Sequence, residues 1–394
     1  KGNMKMSEKK ETVNIVAGID IGNGYTKGKI TEPIKDNVDL PSAMAYYDAL
    51  KKIEESRIPE VINDIYNQMQ VTIDSPSLGI KKDKKLIFGK RAVDSGISPI
   101  TFDVNTSLSK ASQDLSVAIG ICVTAAAALK REFLLTKRLP EKTEVNATLF
   151  TALPIDEFQR EHAAYAKKFT DFAHTVTFHN FPGEAVVNVT FSSVKIISEG
   201  HAAQVAILAD SELHMNSDPE VRKYSKAKNS LGIDIGEGTV NFFIQKGGRF
   251  SEDVSFTFPS GFGTALDRCL DALRDAGYDT FPDRRLLSDF LIETPSEFNI
   301  EKYNDVAEIV KKNSQMFLEN LSAQFIKAKK AAGGNNEAIF VYGGGSAFLR
   351  PLIKERLSDD LKKSNDRTKI IFIKDPYARE LNAKGLAFIA NRRK

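Results

Sequence analysis

The sequence predicts an α/β protein built from two duplicated lobes, and three observations carry that expectation. Gly18-Ile19-Asp20-Ile21-Gly22-Asn23-Gly24 returns as Gly232-Ile233-Asp234-Ile235-Gly236-Glu237-Gly238, with only Asn23 and Glu237 differing. Each copy closes an apolar, β-branched run that suits a buried strand, and such runs alternate with helical spacing along the chain. A third glycine cluster, Gly343-Gly344-Gly345-Ser346, follows a further apolar run from Ile339 to Tyr342.

With 394 residues, 42% hydrophobic and 27% charged, the chain can bury a sizeable core and divide into two or three domains. Residues 13–215 with 376–394 are expected to form the first lobe, with a small subdomain inserted over about 31–110, and 216–375 the second. The polar leader, residues 1–12, is expected to be disordered or to hold residues that precede a natural start at Met4 or Met6. A formal net charge of +3 with no long like-charge block argues against direct nucleic-acid binding. Cys122 and Cys269 lie in apolar helical patterns and read as reduced core residues, which favours a cytoplasmic location. Leu115 to Leu129 is the most apolar stretch. It is too short to span a bilayer and reads as a buried helix.

Val13 to Ile21 is expected to be a buried strand with Asp20 near its end. Asn23-Gly24 signals a hairpin into a second strand, Tyr25 to Ile30, which carries Lys27. Residues 31–110 match no motif, although Ile53 to Met69 has helical spacing and Leu86 to Gly89 reads as a short strand. After the buried helix come a strand over Val145 to Ala152, a helix over Asp156 to Phe172 with an acidic start, and alternating strands over 176–178 and 186–197. Ser198-Glu199-Gly200-His201 leads into an alanine-rich helix ending at Asp210, and the polar residues 211–229 read as a linker. The second lobe opens at Leu231 with the repeated motif and a strand over Val240 to Gln245. A loop from Pro259 to Thr264 enters a helix ending at Ala276. Asp283 to Ile292 and Val306 to Ala332 are helical, the second closed by Gly333-Gly334. A helix from Phe348, a strand at Ile370 to Ile373 and a last helix, Glu380 to Asn391, complete the chain.

A bound phosphate chain needs backbone amides at close range and a counter-charge. Glycine turns expose N–H groups with no side chain in the way. One Gly-x-Gly turn reads first as ordinary hairpin chemistry. Two near-identical copies, one opening each half, point instead to a nucleotide clamped between facing turns. One side is Gly22-Asn23-Gly24-Tyr25 with Lys27, and the other is Gly236-Glu237-Gly238-Thr239. Asp20 and Asp234, at strand ends beside the phosphates, suit Mg²⁺ held through water; the competing reading is a carboxylate capping its own turn. Lys27 supplies a point charge to the phosphates, or is an exposed strand lysine. Glu199 is the best candidate to orient or deprotonate an attacking water. The plainer reading is a glutamate favoured by the helix dipole. Glu237 brings a charge that would oppose phosphate, so its side chain is expected to point away. There is no P-loop, no complete Gly-x-Gly-x-x-Gly, no His-Glu-x-x-His and no paired cysteine motif, which argues against other phosphate folds and against zinc.

Together these residues resemble the actin-like ATPase superfamily, which includes actins, sugar kinases and heat-shock chaperones. Gly18 to Lys27 looks like its first phosphate loop, Gly232 to Val240 like its second, and Ile339 to Pro351 like its adenosine motif. Ser198 to Ala203 and Glu380 to Ala390 resemble its two connecting motifs, and all five occur in the family's order. The sequence is most similar to the ParM-type bacterial plasmid-segregation actins. Asp20 to Gly28 resembles their first loop, and Thr151 to Phe158 a further ParM-type segment, with Ala152 in place of glycine. The resemblance implies duplicated actin/ribonuclease-H-like domains around a nucleotide cleft. Asp20 and Asp234 would organise Mg²⁺, Asn23 and Lys27 would touch phosphate, and Glu199 would position the attacking water. Gly343, Gly344, Gly345 and Ser346 would pass the adenosine, with Arg285 and Ser288 lining the base.

Carried further, the resemblance implies a nucleoside triphosphatase for ATP, or for GTP, that assembles into a homopolymeric filament. Such a filament would move plasmid DNA through a DNA-binding adaptor of ParR type, touching centromere DNA only indirectly. The near-neutral charge agrees with indirect contact, and no membrane association is expected. The alternative is a small-molecule kinase of the same superfamily acting on a sugar or acid. That reading wants a catalytic aspartate in the first lobe that the sequence does not single out.

Overall fold

The computed structural model describes residues 12–49, 52–103, 108–213, 218–374 and 377–392. The leader expected to be disordered lies almost wholly outside these residues. Ten strands form the first sheet: β1 (Val13–Ile21), β2 (Tyr25–Glu32), β3 (Asp36–Pro41), β4 (Ala43–Tyr46), β5 (Gln70–Asp74), β6 (Leu86–Phe88), β7 (Ile100–Thr101), β8 (Lys142–Leu153), β9 (Ala173–Phe178) and β10 (Ala185–Ser198). Their spatial order is β3-β2-β1-β8-β10-β9-β5-β6-β4-β7. The second sheet holds β11 (Ser230–Ile235), β12 (Val240–Lys246), β13 (Arg249–Phe250), β14 (Phe256–Phe258), β15 (Ala338–Tyr342) and β16 (Lys369–Phe372). Its order is β13-β12-β11-β15-β16, with β14 also on β12.

The duplication seen in the sequence is repeated in the topology. β1 turns back antiparallel into β2 and lies parallel to β8; β11 turns back into β12 and lies parallel to β15. The helices that the site depends on are α1 (Asp114–Thr136), α2 (Ile155–Thr170), α3 (Glu199–Leu213), α4 (Gly263–Asp275), α5 (Arg284–Ile292), α6 (Gln315–Ala332), α7 (Arg350–Lys363) and α8 (Leu381–Arg392).

Strand periodicity explains how the layers stack. Ile15, Ala17, Ile19 and Ile21 of β1 join one core with α1, whose residues 115–130 are all buried. A helix apolar on all sides belongs inside, and α1 has no polar face to offer water. The alternate residues of β1 face the other way, where α8 runs so close that a Cβ on Gly18 would meet the Ala387 amide nitrogen at 2.5 Å. α8 also crosses α3, and a Cβ on Gly385 would strike the Ala202 carbonyl. Small residues at both crossings let these helices lie between the sheets. In the second lobe Leu231, Ile233 and Ile235 pack against α4, α6 and α7, while Phe340 and Tyr342 face Ala203, Ala206 and Ile207 of α3.

The segment over about 31–110, expected as an inserted subdomain, joins the first sheet where β5 pairs antiparallel with β9. Two local expectations change. The expected helix over 306–332 is two, Ile300–Asn313 and α6, separated at Ser314. The expected linker contains a short helix, Pro219–Tyr224, capped by Asp218, and its Val221 joins the core beside α3; residues 214–217 of that linker lie outside the described residues. No helix among the described residues is long and apolar enough to cross a membrane.

Candidate active site

Each repeat ends its strand in the same turn. The Gly22 amide donates to the Tyr25 carbonyl at 3.1 Å, and the Gly236 amide to the Thr239 carbonyl at 2.9 Å. Neither Asn23 nor Gly24 adopts a positive φ. The glycines serve close approach more than turn handedness: a Cβ on Gly22 would meet the Tyr25 carbonyl oxygen at 2.6 Å, and one on Gly24 would strike the Glu237 carboxylate. Gly343 needs both kinds of freedom. Its φ is +86°, and a Cβ there would meet Asp234 Oδ1 at 2.5 Å.

These turns bring the predicted acidic residues together. Asp20, Asp234 and Glu199 line one small cavity of about 150 Å³, with Lys27, Gly22, Asn23, Gly24, Tyr25, Gly236, Glu237 and Thr239 also on its wall. Burial pushes the Asp20 carboxyl up to about 7; Lys110 opposes the shift and Glu199 adds to it. Burial does the same to Asp234, also to about 7, reinforced by the charges of Glu199 and Asp20. Asn382 of α8 donates to Asp234 Oδ2 at 3.0 Å, and its side chain favours the charged forms of both Asp234 and Asp20. Its own Oδ1 is buried and has no hydrogen-bond partner among the described residues.

Glu199 is gripped from both lobes. Its Oε1 takes an ion pair from Lys110 at 2.5 Å, and its Oε2 accepts from Asn241 Nδ2 at 2.8 Å. Lys110 is only 4% exposed. Burial by itself would lower its pKa, yet the carboxylates of Glu199 and Asp20 hold it above the usual lysine range. The short turn carrying Lys110 is anchored to α2 by Ser109 Oγ on Glu161 Oε2 (2.6 Å) and Lys168 Nζ on the Ala111 carbonyl (2.7 Å).

Glu237 does not point away from the cleft as expected. It lies against Gly24, and Arg284 Nη1 reaches its Oε1 at 3.2 Å. The same guanidinium binds both oxygens of Asp267, so the charge of Glu237 is compensated where it stands.

A larger cavity of about 770 Å³ opens beyond the loops, sharing Asn23, Gly24, Tyr25, Glu237 and Gly344 with the small one. Arg285 and Ser288, expected to line the base, are on its wall. Tyr25 of the first loop shares this cavity wall with Arg285; burial and the charge of Asp289 push its hydroxyl pKa up to about 12, against the pull of Arg285. Gly343 and Gly344 reach the small cavity. Gly345 instead packs on Ile235 and Phe262, and the buried Ser346 hydroxyl donates back to the Gly343 carbonyl at 2.7 Å, so these two support the turn. Gly238 lines a third cavity, of about 340 Å³, on the far side of Thr239.

Two neighbouring carboxylates, Asp234 buried and Asp20 half-buried, both raised by desolvation and by nearby acids, are the electrostatic situation that a divalent cation relieves. Among the described residues no group of three or more His, Cys, Asp or Glu side chains is arranged to hold a metal by itself. Mg²⁺ fits such a site, because it takes few carboxylates and completes its shell with water and phosphate oxygens.

Sequence reasoning missed Lys110, Asn241 and Asn382. Superposing the repeats would have found Asn241: in the strand registers Asp20 pairs with Lys27 and Asp234 pairs with Asn241. Asn382 lies in the second connecting segment, which was singled out without naming the residue. Nothing in the sequence distinguishes Lys110 from other lysines ahead of a helix.

Residues 18–201, just under half of the chain, match the family model for the N-terminal domain of actin-like proteins. A comparison with the curated proteins finds no match. Among solved structures, Bacillus thuringiensis ParM with ATP is similar at a TM-score of 0.63 and 17% identity, covering 97% of this chain and 99% of that one. An archaeal actin homolog, Ta0583, gives 0.64 at 16% identity over 96% and 99% of the two chains. The actin-like protein Alp7A gives 0.65 at 18% identity over 96% of each. Residues 18–201 thus resemble the N-terminal domain of actin-like proteins, and the chain as a whole has the actin-like fold.

Proposed function

We propose that this chain binds Mg-ATP between its two loops, hydrolyses it, and assembles into nucleotide-dependent filaments that segregate plasmid DNA through an adaptor protein. The observation that carries the proposal is Glu199, held between the lobes beside Asp20 and Asp234 at the inner end of a nucleotide-sized cleft. The ParM neighbour with ATP supports the choice of nucleotide. The filament and plasmid roles rest on the resemblance of Asp20 to Gly28 and Thr151 to Phe158 to ParM-type segments.

In this reading the backbone amides around Gly22–Tyr25 and Gly236–Thr239 cradle the phosphates, and Lys27 adds a point charge. Asp20 and Asp234 would hold Mg²⁺ through water, which would supply positive charge to the phosphates. Glu199 accepts a hydrogen bond from the attacking water and orients it toward the γ-phosphate. Tyr25, Arg285 and Ser288 wall the base, while Gly343 and Gly344 let the adenosine pass.

The test is assembly. Protein mixed with Mg-ATP, and separately with Mg-GTP, is pelleted and imaged by negative stain. Filaments that form only with nucleotide are expected; a persistent monomer whose turnover depends on an added sugar or acid would overturn the reading in favour of a kinase. Glu199→Ala should leave nucleotide affinity within about twofold and slow hydrolysis about 100-fold or more, so that its filaments outlast the wild type.

A further inference from the structure

The small cavity has two ends. Toward the large cavity it shares Gly24, Tyr25, Glu237 and Gly344. Toward the third cavity it shares Lys110 and Thr239, and Lys110 does not line the large one. The third cavity lies where the first turn of α2 meets β14; there Asp156 Oδ1 accepts from the Thr257 amide at 3.1 Å. With a base in the large cavity and the phosphates between the loops, Lys110 stands at the far end, beside the terminal phosphate.

Lys110 also has hydrogen bonds left to give. An ammonium carries three N–H donors. Among the described residues its Nζ has one hydrogen-bond partner, Glu199 Oε1 at 2.5 Å. At 4% exposure, bulk water does not take up the other two donors. A buried cation with open donors is costly unless something meets them, and the open space beside this one is the cavity. A terminal phosphate there would face three carboxylates, Asp20, Glu199 and Asp234. Of the cations on the same wall, Arg379 also borders the large cavity, whereas Lys27 and Lys110 do not.

Resting on the reading of this cleft as a nucleoside triphosphate site, we infer that Lys110 is a catalytic residue whose two open donors bind oxygens of the terminal phosphoryl group and carry its charge during hydrolysis. The step needs no proton from Lys110. The water oxygen bonds to the terminal phosphorus, the bond to the bridging oxygen breaks, and its electron pair leaves with the diphosphate. The proton released by the water passes to Glu199. Charge meanwhile spreads over the three equatorial oxygens, where fixed donors stabilise it most in a water-poor site. The ion pair that holds Glu199 toward the water therefore also sets the distance between that carboxylate and the phosphoryl group.

The full chain tests this through its discrimination between triphosphate and diphosphate. Lys110→Met should slow single-turnover hydrolysis of Mg-ATP about 100-fold, the scale for one lost donor to a transition state. A mere counter-ion to Glu199 would do nothing once Glu199 is neutral, so the deciding titrations are made in Glu199→Gln. In that background Lys110→Met should weaken Mg-ATP about tenfold, as expected for a hydrogen bond to a charged group, and leave Mg-ADP within about twofold. The double variant replaces both buried charges by neutral groups of similar size, so it should fold even where Lys110→Met alone does not. If Glu199→Gln with and without Lys110→Met binds Mg-ATP equally, Lys110 is only a counter-ion; the inference is overturned and the triphosphate site stands. Equal weakening of Mg-ATP and Mg-ADP also overturns it, since the contact is then not with the terminal phosphate. A wild-type chain that binds neither nucleotide overturns the reading of the cleft itself.

Discussion

Asp20 ends β1 opposite Lys27, and Asp234 ends β11 opposite Asn241. The turns that follow close with the same backbone hydrogen bond. Yet the first turn carries Asn23 where the second carries Glu237, and their supports differ in kind. Ser42 holds the first loop with neutral bonds: its Oγ donates to the Gly22 carbonyl at 2.6 Å and lies 2.9 Å from Thr26 Oγ1. The second loop is held by the amides of Gly261, Phe262 and Gly263 on the carbonyls of Gly238, Gly236 and Glu237, and by the Arg284 ion pairs. After duplication the parts that a metal and a phosphate both require stayed the same, namely the aspartate and the glycine turn. Charge was then divided. The first loop carries a cation, Lys27, and the second an acid, Glu237, whose counter-ion Arg284 is shared with Asp267.

The largest effects should come from the element the loops share. Asp234→Asn removes a charge and keeps the Asn382 contact within reach, so binding and metal-free stability should move in opposite directions. Affinity for Mg-ATP should fall roughly 10–100-fold, as for other groups that support a metal. Stability in chelator should rise at alkaline pH. The folded pKa of Asp234, about 7, lies above the ordinary 3.8. The unfolded chain therefore releases its proton first, and the folded state loses stability as pH rises from about 4 through 7. Thermal melts in chelator from pH 5 to 8 should show a decline that Asp234→Asn flattens. Asp20→Asn should flatten it to a similar extent, because burial raises Asp20 to about 7 as well, against the pull of Lys110 and Lys27. A decline that is unchanged in either variant would show that its carboxyl is not raised.

Next in size is the second loop's private counter-ion. Arg284→Ala leaves Glu237 and Asp267 uncompensated beside the phosphates, and nucleotide affinity should drop about tenfold, equivalent to about 1.4 kcal/mol. Glu237→Gln in that background should recover most of it, a coupling that titration of the single and double variants would measure. Gly24→Ala probes the same contact from the first loop, since its Cβ must displace the Glu237 carboxylate. It should cost affinity in the wild type and much less once Glu237 is alanine. Additive losses would place Glu237 outside the loop–loop contact.

The loops themselves were legible because their chemistry is local. An aspartate at a strand end and glycines that admit a phosphate must follow one another within a few residues, so both copies stand out, and the strands around them follow from apolar runs. The supports were not legible because their partners are distant. Lys110 meets Glu199 across 89 residues, Thr257 meets Asp156 across 101, and Asn382 meets Asp234 across 148. The packing of α3 and α8 between the sheets, and of α2 against β14, brings them together. The expectation for Glu237 failed for the same reason: from sequence its charge looked uncompensated, since Arg284 comes from a helix 47 residues on.

The smallest effect separates a neutral support from a charged one. Ser42 is 1% exposed, and Ser42→Ala would leave the Gly22 carbonyl and the Thr26 hydroxyl without their shared partner. A lost neutral bond of this kind costs on the order of 1 kcal/mol of stability, so the thermal midpoint should drop by a few degrees. Nucleotide affinity should fall only about two- to threefold, through a looser first turn. Salt distinguishes this from Arg284→Ala. Ions screen charges and leave a neutral hydrogen bond almost untouched, so raising ionic strength should shrink the Arg284→Ala defect and leave the Ser42→Ala defect where it was. If both defects shrink together, the first loop is held by charge as well, and the division of labour between the two copies does not exist.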